Sequence, residues 1–141
     1  EHRGTPLWFE RSFAFALGPH LLRGRVDRVD RLADGSCELI DYKTGHPRSA
    51  AQLADDVQLA LYAMAAQRAW GVAVGKLSYY YVLDNLKVSL AEDHVSASEA
   101  RLTQTIDTVA RGILDLRFEP RPSYSVCASC DFLNACPAAE T

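Results

Sequence analysis

Asp27, Asp41 and Lys43 are the residues of this 141-residue chain whose types and spacing could do chemistry. Asp41 and Lys43 stand two apart in Ile40-Asp41-Tyr42-Lys43-Thr44-Gly45, so on a β-strand they project from one face. Asp27 lies in Gly24-Arg25-Val26-Asp27-Arg28-Val29-Asp30, on the other side of the hairpin signal Ala33-Asp34-Gly35-Ser36. A hairpin turning near Asp34 places Asp27 opposite Asp41, with Cβ atoms about 4.5–5.5 Å apart. Two carboxylates that close repel each other, and a divalent cation between them reverses the sign. Hard oxygen donors at this spacing suit Mg²⁺ or Mn²⁺. Such a cation lowers the pKa of its water and polarises a phosphoryl oxygen. A neighbouring lysine can orient the water or hold the developing negative charge. The chemistry is phosphodiester hydrolysis. The competing reading makes Asp27, Asp30 and Asp41 solvent-facing charges paired with Arg25, Arg28 and Arg31.

The elements that must position these groups are legible as pattern. Trp8 to Leu17 alternates as a strand, with Glu10 near its start, and Gly18-Pro19 turns the chain. Leu21–Leu32 and Cys37–Lys43 read as second and third strands, and the three form an antiparallel meander. From about Ala50 to Trp70 the spacing of Leu53, Val57, Leu61 and Met64 predicts one helix, ended by Gly71 and Gly75. Lys76–Leu83 and Leu86–Leu90 read as two more strands around the turn at Asp84-Asn85. Ser96 and Glu99 form a capping-box pattern that opens a second helix. That helix runs to about Leu116, with Leu102, Ile106, Val109, Ile113 and Leu116 on its apolar face. From Tyr124 the tail is loop and cysteine motif. The order β-β-β-α-β-β-α implies an α/β domain with one mixed sheet flanked by helices.

Length fits a single domain over 1–141, with a core at about 8–117 and the cysteine motif at 124–137. No apolar run approaches the roughly 20 residues of a membrane span, and no leader pattern is visible. The net charge of −3 does not advertise a nucleic-acid partner, although a local basic surface is all such binding needs. There is no Gly-rich phosphate loop and no Ser/His/Asp arrangement. Trp70 with Tyr79, Tyr80 and Tyr81 could stack on bases, but ordinary strand packing is the favoured reading.

Cys127, Cys130 and Cys136 give Cys-x₂-Cys-x₅-Cys, which suits a reducing compartment better than a disulfide framework. An iron–sulfur cluster, a zinc site borrowing His94 or His46, and free thiols all fit the spacing. Cys37 is the remaining cysteine and reads as a small sheet residue.

Gly24-Arg-Val-Asp27-Arg-Val-Asp30 followed by Ile40-Asp41-Tyr42-Lys43-Thr44-Gly45 resembles motifs II and III of the RecB-like PD-(D/E)XK nucleases. Ile40 replaces the motif's proline. Gln58 and Tyr62, one helical turn apart and 15 residues beyond Lys43, are similar to the family's Gln-x-x-x-Tyr. Without the family, these two would read as the polar flank of a core helix. The resemblance covers roughly Glu10 to Pro137 and implies a restriction-endonuclease-like core. By it, Asp27, Asp41 and the Tyr42 carbonyl hold Mg²⁺ or Mn²⁺, and Lys43 is catalytic. Gln58 and Tyr62 contact DNA or support the metal ligands. The three late cysteines imply a [4Fe–4S] cluster whose fourth cysteine lies upstream. The resemblance also implies an upstream helix with a metal-binding histidine. Glu1 is no natural initiator, so the sequence is expected to be N-terminally truncated. The implied function is a DNA exonuclease within a recombination or repair helicase–nuclease, cytoplasmic and nucleoid-associated, with a helicase domain or subunit as partner. The alternative is a non-catalytic DNA-binding or docking module stabilised by the cluster.

Overall fold

The computed structural model describes residues 4–95 and 99–141. Five strands form one sheet in the order β1-β2-β3-β4-β5: β1 Thr5–Leu17, β2 His20–Arg31, β3 Cys37–Lys43, β4 Val74–Tyr81 and β5 Leu86–Ala91. The meander β1-β2-β3 is antiparallel, as its tight turns require. β3 and β4 are parallel, joined by a helical crossover, and β5 returns antiparallel to β4. The sheet is therefore mixed, and its one parallel step lies beside Asp41.

The crossover is not the single helix that the sequence suggests. It consists of α1 Ala50–Leu53, α2 Val57–Ala65 and a π-helical turn Ala66–Trp70. The chain restarts at Asp56, which is extended (ψ 121°) and accepts the Leu59 N–H at 3.0 Å, the preferred way to satisfy a helix's first donors. Leu53 and Met64 are buried and Leu61 packs against the core as expected, whereas Val57 is exposed; the buried residues of α2 are Leu59, Ala60, Tyr62, Ala63, Met64 and Ala65. Val57 is the first residue after the restart at Asp56. The π turn ends at Gly71 in the left-handed conformation (φ 64°) and seats Trp70 against Trp8 and Phe13.

The main apolar cluster joins Val26, Val29, Leu39, Leu77, Tyr79 and Tyr81 of the sheet to Leu53, Leu59, Tyr62 and Ala63 of the crossover. Burying these side chains supplies most of the favourable folding free energy. Cys37 lies in this cluster, and burial raises its thiol pKa. Trp70, Tyr79 and Tyr81 likewise pack inside or against it. Gly24 is explained by the same packing: a Cβ there would run into the Phe13 ring.

β1 begins earlier than its alternation suggests, so Glu10 sits mid-strand. It has φ 48°, a left-handed conformation that costs a non-glycine residue about 1 kcal/mol.

The chain divides into two compact units, Glu1–Asp107 and Thr108–Thr141, with the boundary inside α3 Glu99–Leu114. The capping box expected at Ser96 lies outside the described residues. In the first unit Leu102 is buried and Ile106 packs beside Phe15, Leu17 and Met64. In the second, the apolar stripe does not continue inward: Val109, Ile113 and Leu116 are exposed. The helix stops before Leu116. That residue is left-handed (φ 54°), and its N–H and that of Arg117 close back on Ile113 and Gly112. The tail contains a short helix, α4 Tyr124–Cys127, where only loop was expected.

Asp56 carries a testable consequence. Burial alone would raise its pKa, but the Leu59 N–H, the Tyr79 hydroxyl and Arg48 together hold it below the ordinary value. A lowered folded-state pKa stabilises the fold above the unfolded value of about 3.9, and that contribution disappears as pH falls through the folded value. Asp56→Ala is expected to cost about 1–2 kcal/mol at pH 7. Denaturant melts at pH 7 and at pH 3 should show the deficit shrinking in acid.

Candidate active site

β2 and β3 bring the two aspartates together. The last paired residues are Arg28 and Ile40, and one step further the same register sets Asp27 opposite Asp41. There the ladder opens. The Tyr42 N–H donates to Asp27 Oδ2 (2.9 Å). Beyond the last ladder pair, the Asp27 side chain takes the place of a strand partner for the Tyr42 N–H.

Asp41 is 5% exposed, so its carboxylate must be satisfied inside the protein. Lys43 Nζ contacts Oδ2 at 2.7 Å, the Tyr62 hydroxyl donates to Oδ1 at 2.9 Å, and the Gln58 amide reaches Oδ1 at 3.3 Å. Gln58 links the set: its Nε2 donates to the Tyr62 hydroxyl (2.9 Å) and its Oε1 accepts from Lys43 (2.8 Å). The expected helical neighbours Gln58 and Tyr62 thus converge with Asp41 and Lys43 on one face of the sheet. They are more than the polar flank of a helix. Burial first, and then the Asp41 charge, pushes the Tyr62 pKa well above its ordinary value. The hydroxyl therefore remains a proton donor across the working pH range.

Two further residues complete the cluster. Tyr79 pairs with Asp41 in the parallel register, and its hydroxyl lies 2.8 Å from Asp56 Oδ1 and 2.9 Å from Gln58 Oε1. Its ring lies under the Lys43 ammonium, 4.6 Å from the centroid. Asp56 was readable as an N-cap, since an aspartate stands directly before a helical apolar run. Tyr79 had no local signal, because only the crossover register brings it beside Asp41.

The donor chemistry fits a hard cation. An ionised carboxylate has about four acceptor positions. Among the described contacts Asp41 uses three and Asp27 one, so both retain acceptor capacity. Mg²⁺ typically keeps several waters and uses one or two carboxylates. No group of three His, Cys, Asp or Glu side chains suited to a metal occurs among the described residues. That statement covers the aspartates and the cysteines alike. Cys127 is buried, Cys130 exposed and Cys136 between, so the three thiols expected to hold a cluster are not assembled around a common centre.

A family model for the PD-(D/E)XK nuclease superfamily matches residues 1–137. The chain belongs to that superfamily. Its mixed five-stranded sheet flanked by helices is the restriction-endonuclease-like α/β fold. Superfamily membership makes this a nuclease-type domain, and nucleases of this superfamily use divalent metals. The Gene 69 protein of Mycobacterium phage D29 is 32% identical over 138 residues, covering 95% of this chain and 49% of that protein. The Gene 69 protein of Mycobacterium phage L5 is 29% identical over 132 residues, covering 91% and 43%. The chain thus spans about half the length of the curated relatives it matches. The crystal structure of SSO0001 superposes with a TM-score of 0.52 at 21% identity, covering 95% of this chain and 62% of that one, which is a likeness of fold. No helix among the described residues is long and apolar enough to cross a membrane.

Tyr62→Phe keeps the ring and removes the donor to buried Asp41. It is expected to lower stability by about 1–2 kcal/mol. A raised tyrosine pKa stabilises the fold below the unfolded value of about 10 and is lost above the folded one. The deficit should therefore be level from pH 5 to 9 in thermal or denaturant melts.

Proposed function

We propose that the chain is the catalytic core of a Mg²⁺- or Mn²⁺-dependent deoxyribonuclease that hydrolyses phosphodiester bonds exonucleolytically. The observation that carries this reading is the facing pair Asp27 and Asp41 with Lys43 Nζ at 2.7 Å from Asp41. Asp27, Asp41 and the Tyr42 carbonyl would hold the cation, which when bound polarises the phosphoryl group and lowers the pKa of its water. Lys43 is anchored by Asp41 and Gln58, so its ammonium is preorganised to orient the nucleophile and to stabilise charge that develops on phosphate oxygens. Tyr62 and Gln58 hold the Asp41 carboxylate in one orientation.

Within this reading the enzyme is of the RecB-like type, with a helicase domain or subunit as partner and a cytoplasmic, nucleoid-associated role in recombination or repair. Support for that comes from the residues at 24–45 and the Gln58/Tyr62 spacing. The spacing Cys127-x₂-Cys130-x₅-Cys136 supports a [4Fe–4S] cluster completed by a fourth ligand from elsewhere. A second reading is a non-catalytic DNA-binding or docking module stabilised by the iron–sulfur cluster, in which the Lys43–Asp41 ion pair (2.7 Å) serves the fold alone.

Incubation with linear DNA decides between them. Degradation should require Mg²⁺ or Mn²⁺ and fall by at least about a hundredfold in Lys43→Ala. DNA binding without cleavage, by this chain and by a full-length relative alike, would favour the module. Anaerobic purification should give a visible iron–sulfur absorbance that Cys130→Ser removes. Zinc alone in the purified protein would refute the cluster.

A further inference from the structure

We infer that Tyr79 is the positioning residue for Lys43, clamping the lysine from the β4 side through its ring and through Gln58. The inference rests on the reading of Lys43 as catalytic.

The geometry is specific. The Lys43 ammonium makes hydrogen-bond contacts to Asp41 Oδ2 (2.7 Å) and Gln58 Oε1 (2.8 Å). Its third side rests over the Tyr79 ring at 4.6 Å. An ammonium over a ring face is attracted by the ring quadrupole, worth about 0.5–1 kcal/mol at exposed sites and more when desolvated. Lys43 has about a third of its side chain exposed, whereas Tyr79 is 2% exposed, so the ring is the fixed partner.

The hydroxyl fixes the rest. A phenol has one proton, and two acceptors lie within reach: Asp56 Oδ1 at 2.8 Å and Gln58 Oε1 at 2.9 Å. Burial, and then its contact with Asp56, raises the Tyr79 pKa above the ordinary value, so the proton stays on the hydroxyl. The proton is shared between the two acceptors: it helps keep the Asp56 carboxylate ionised and also points at Gln58 Oε1, the atom that accepts from Lys43, while the amide N–H groups are directed at Tyr62 and Asp41. Tyr79 thereby joins Lys43 in holding the carbonyl end of the Gln58 amide toward the lysine. Asp56 is both the N-cap of α2 and the second partner of Tyr79. The start of the helix and the lysine are thus tied to one side chain on β4.

The test compares Tyr79→Phe, which keeps the ring, with Tyr79→Leu, which removes it. Kinetics with Mn²⁺ and linear DNA read the chemistry. NMR of the metal-free protein reads the geometry through the ring-current shift of the Lys43 Cε protons. In Tyr79→Phe the upfield shift should persist and kcat should fall about fivefold at unchanged KM, the size of one lost hydrogen bond. In Tyr79→Leu the shift should vanish and kcat should fall about a hundredfold, as for a misplaced catalytic group. A Tyr79→Leu protein that folds and retains wild-type kcat overturns the proposal. So does a wild-type spectrum without a ring-current shift at Lys43, a readout that remains valid if Tyr79→Leu does not fold. Wild-type protein that shows the shift but cleaves no nucleic acid would refute the proposed function and leave the positioning intact.

Discussion

A buried carboxylate sets the terms for this fold. Asp41 sits in the middle of a sheet at 5% exposure, and an ion taken from water there without partners costs several kcal/mol. Its partners come from three elements: Lys43 from its own strand, and Gln58 and Tyr62 from α2, with Tyr79 of β4 behind them. That requirement fixes which face of α2 meets the sheet. The hydrophobic residues of α2 would pack against β3 and β4 over a range of rotations. Only a narrow part of that range also delivers the Tyr62 hydroxyl and the Gln58 amide to Asp41.

The second constraint is where β2 and β3 separate. Val26 and Val29 are both fully buried in the same cluster although three residues apart, so β2 does not keep a strict alternation between them. On the neighbouring strand, Phe9 and Arg11 pair with Arg28 and Val26, which leaves Glu10 across from Asp27. Glu10 also has φ 48°. The two irregularities coincide on neighbouring strands, beside the Asp27 that accepts from the Tyr42 N–H. Backbone strain in a sheet persists only where surrounding pairing over-determines it. Here the flanking β1–β2 pairs supply that determination.

The sequence exposes these features unevenly. The hairpin, the facing of Asp27 and Asp41, and the i, i+4 pair Gln58/Tyr62 follow from local spacing, and the structure places all of them together. The split of the crossover helix was obscured because alanine-rich segments carry helical propensity on both sides of Asp56. The inward stripe of α3 failed beyond Ile106 because periodicity reports an amphipathic face without reporting what covers it. Tyr79 could not be distinguished from Tyr81 by pattern, since both alternate inward on β4. Only the parallel register with β3, a non-local property, sets one beside Asp41 and the other beside Lys43. Likewise, cysteine spacing suggests a ligand set, but spacing does not bring three thiols to one point.

The same hairpin carries a second pair of carboxylates, partnered differently from Asp27 and Asp41. Three residues along, Asp30 pairs directly with Glu38, and both carboxylates are buried. Each has its own positive partner. Arg28 grips Asp30 through two bonds of 2.7 and 2.9 Å, while Lys87 (2.9 Å) and the Ser78 hydroxyl (2.6 Å) serve Glu38. That pair is neutral and closed. At Asp41 the ammonium of Lys43 is the positive partner, and among the described contacts Asp27 accepts from the Tyr42 backbone N–H. Among those contacts the same two strands therefore build one acidic pair with a cation for each carboxylate and one in which Lys43 serves Asp41. The second lies just beyond the last pair of the β2–β3 ladder. Under the proposed function, a divalent ion would supply the positive charge that this pair, unlike Asp30 and Glu38, does not draw from a second side chain among the described contacts.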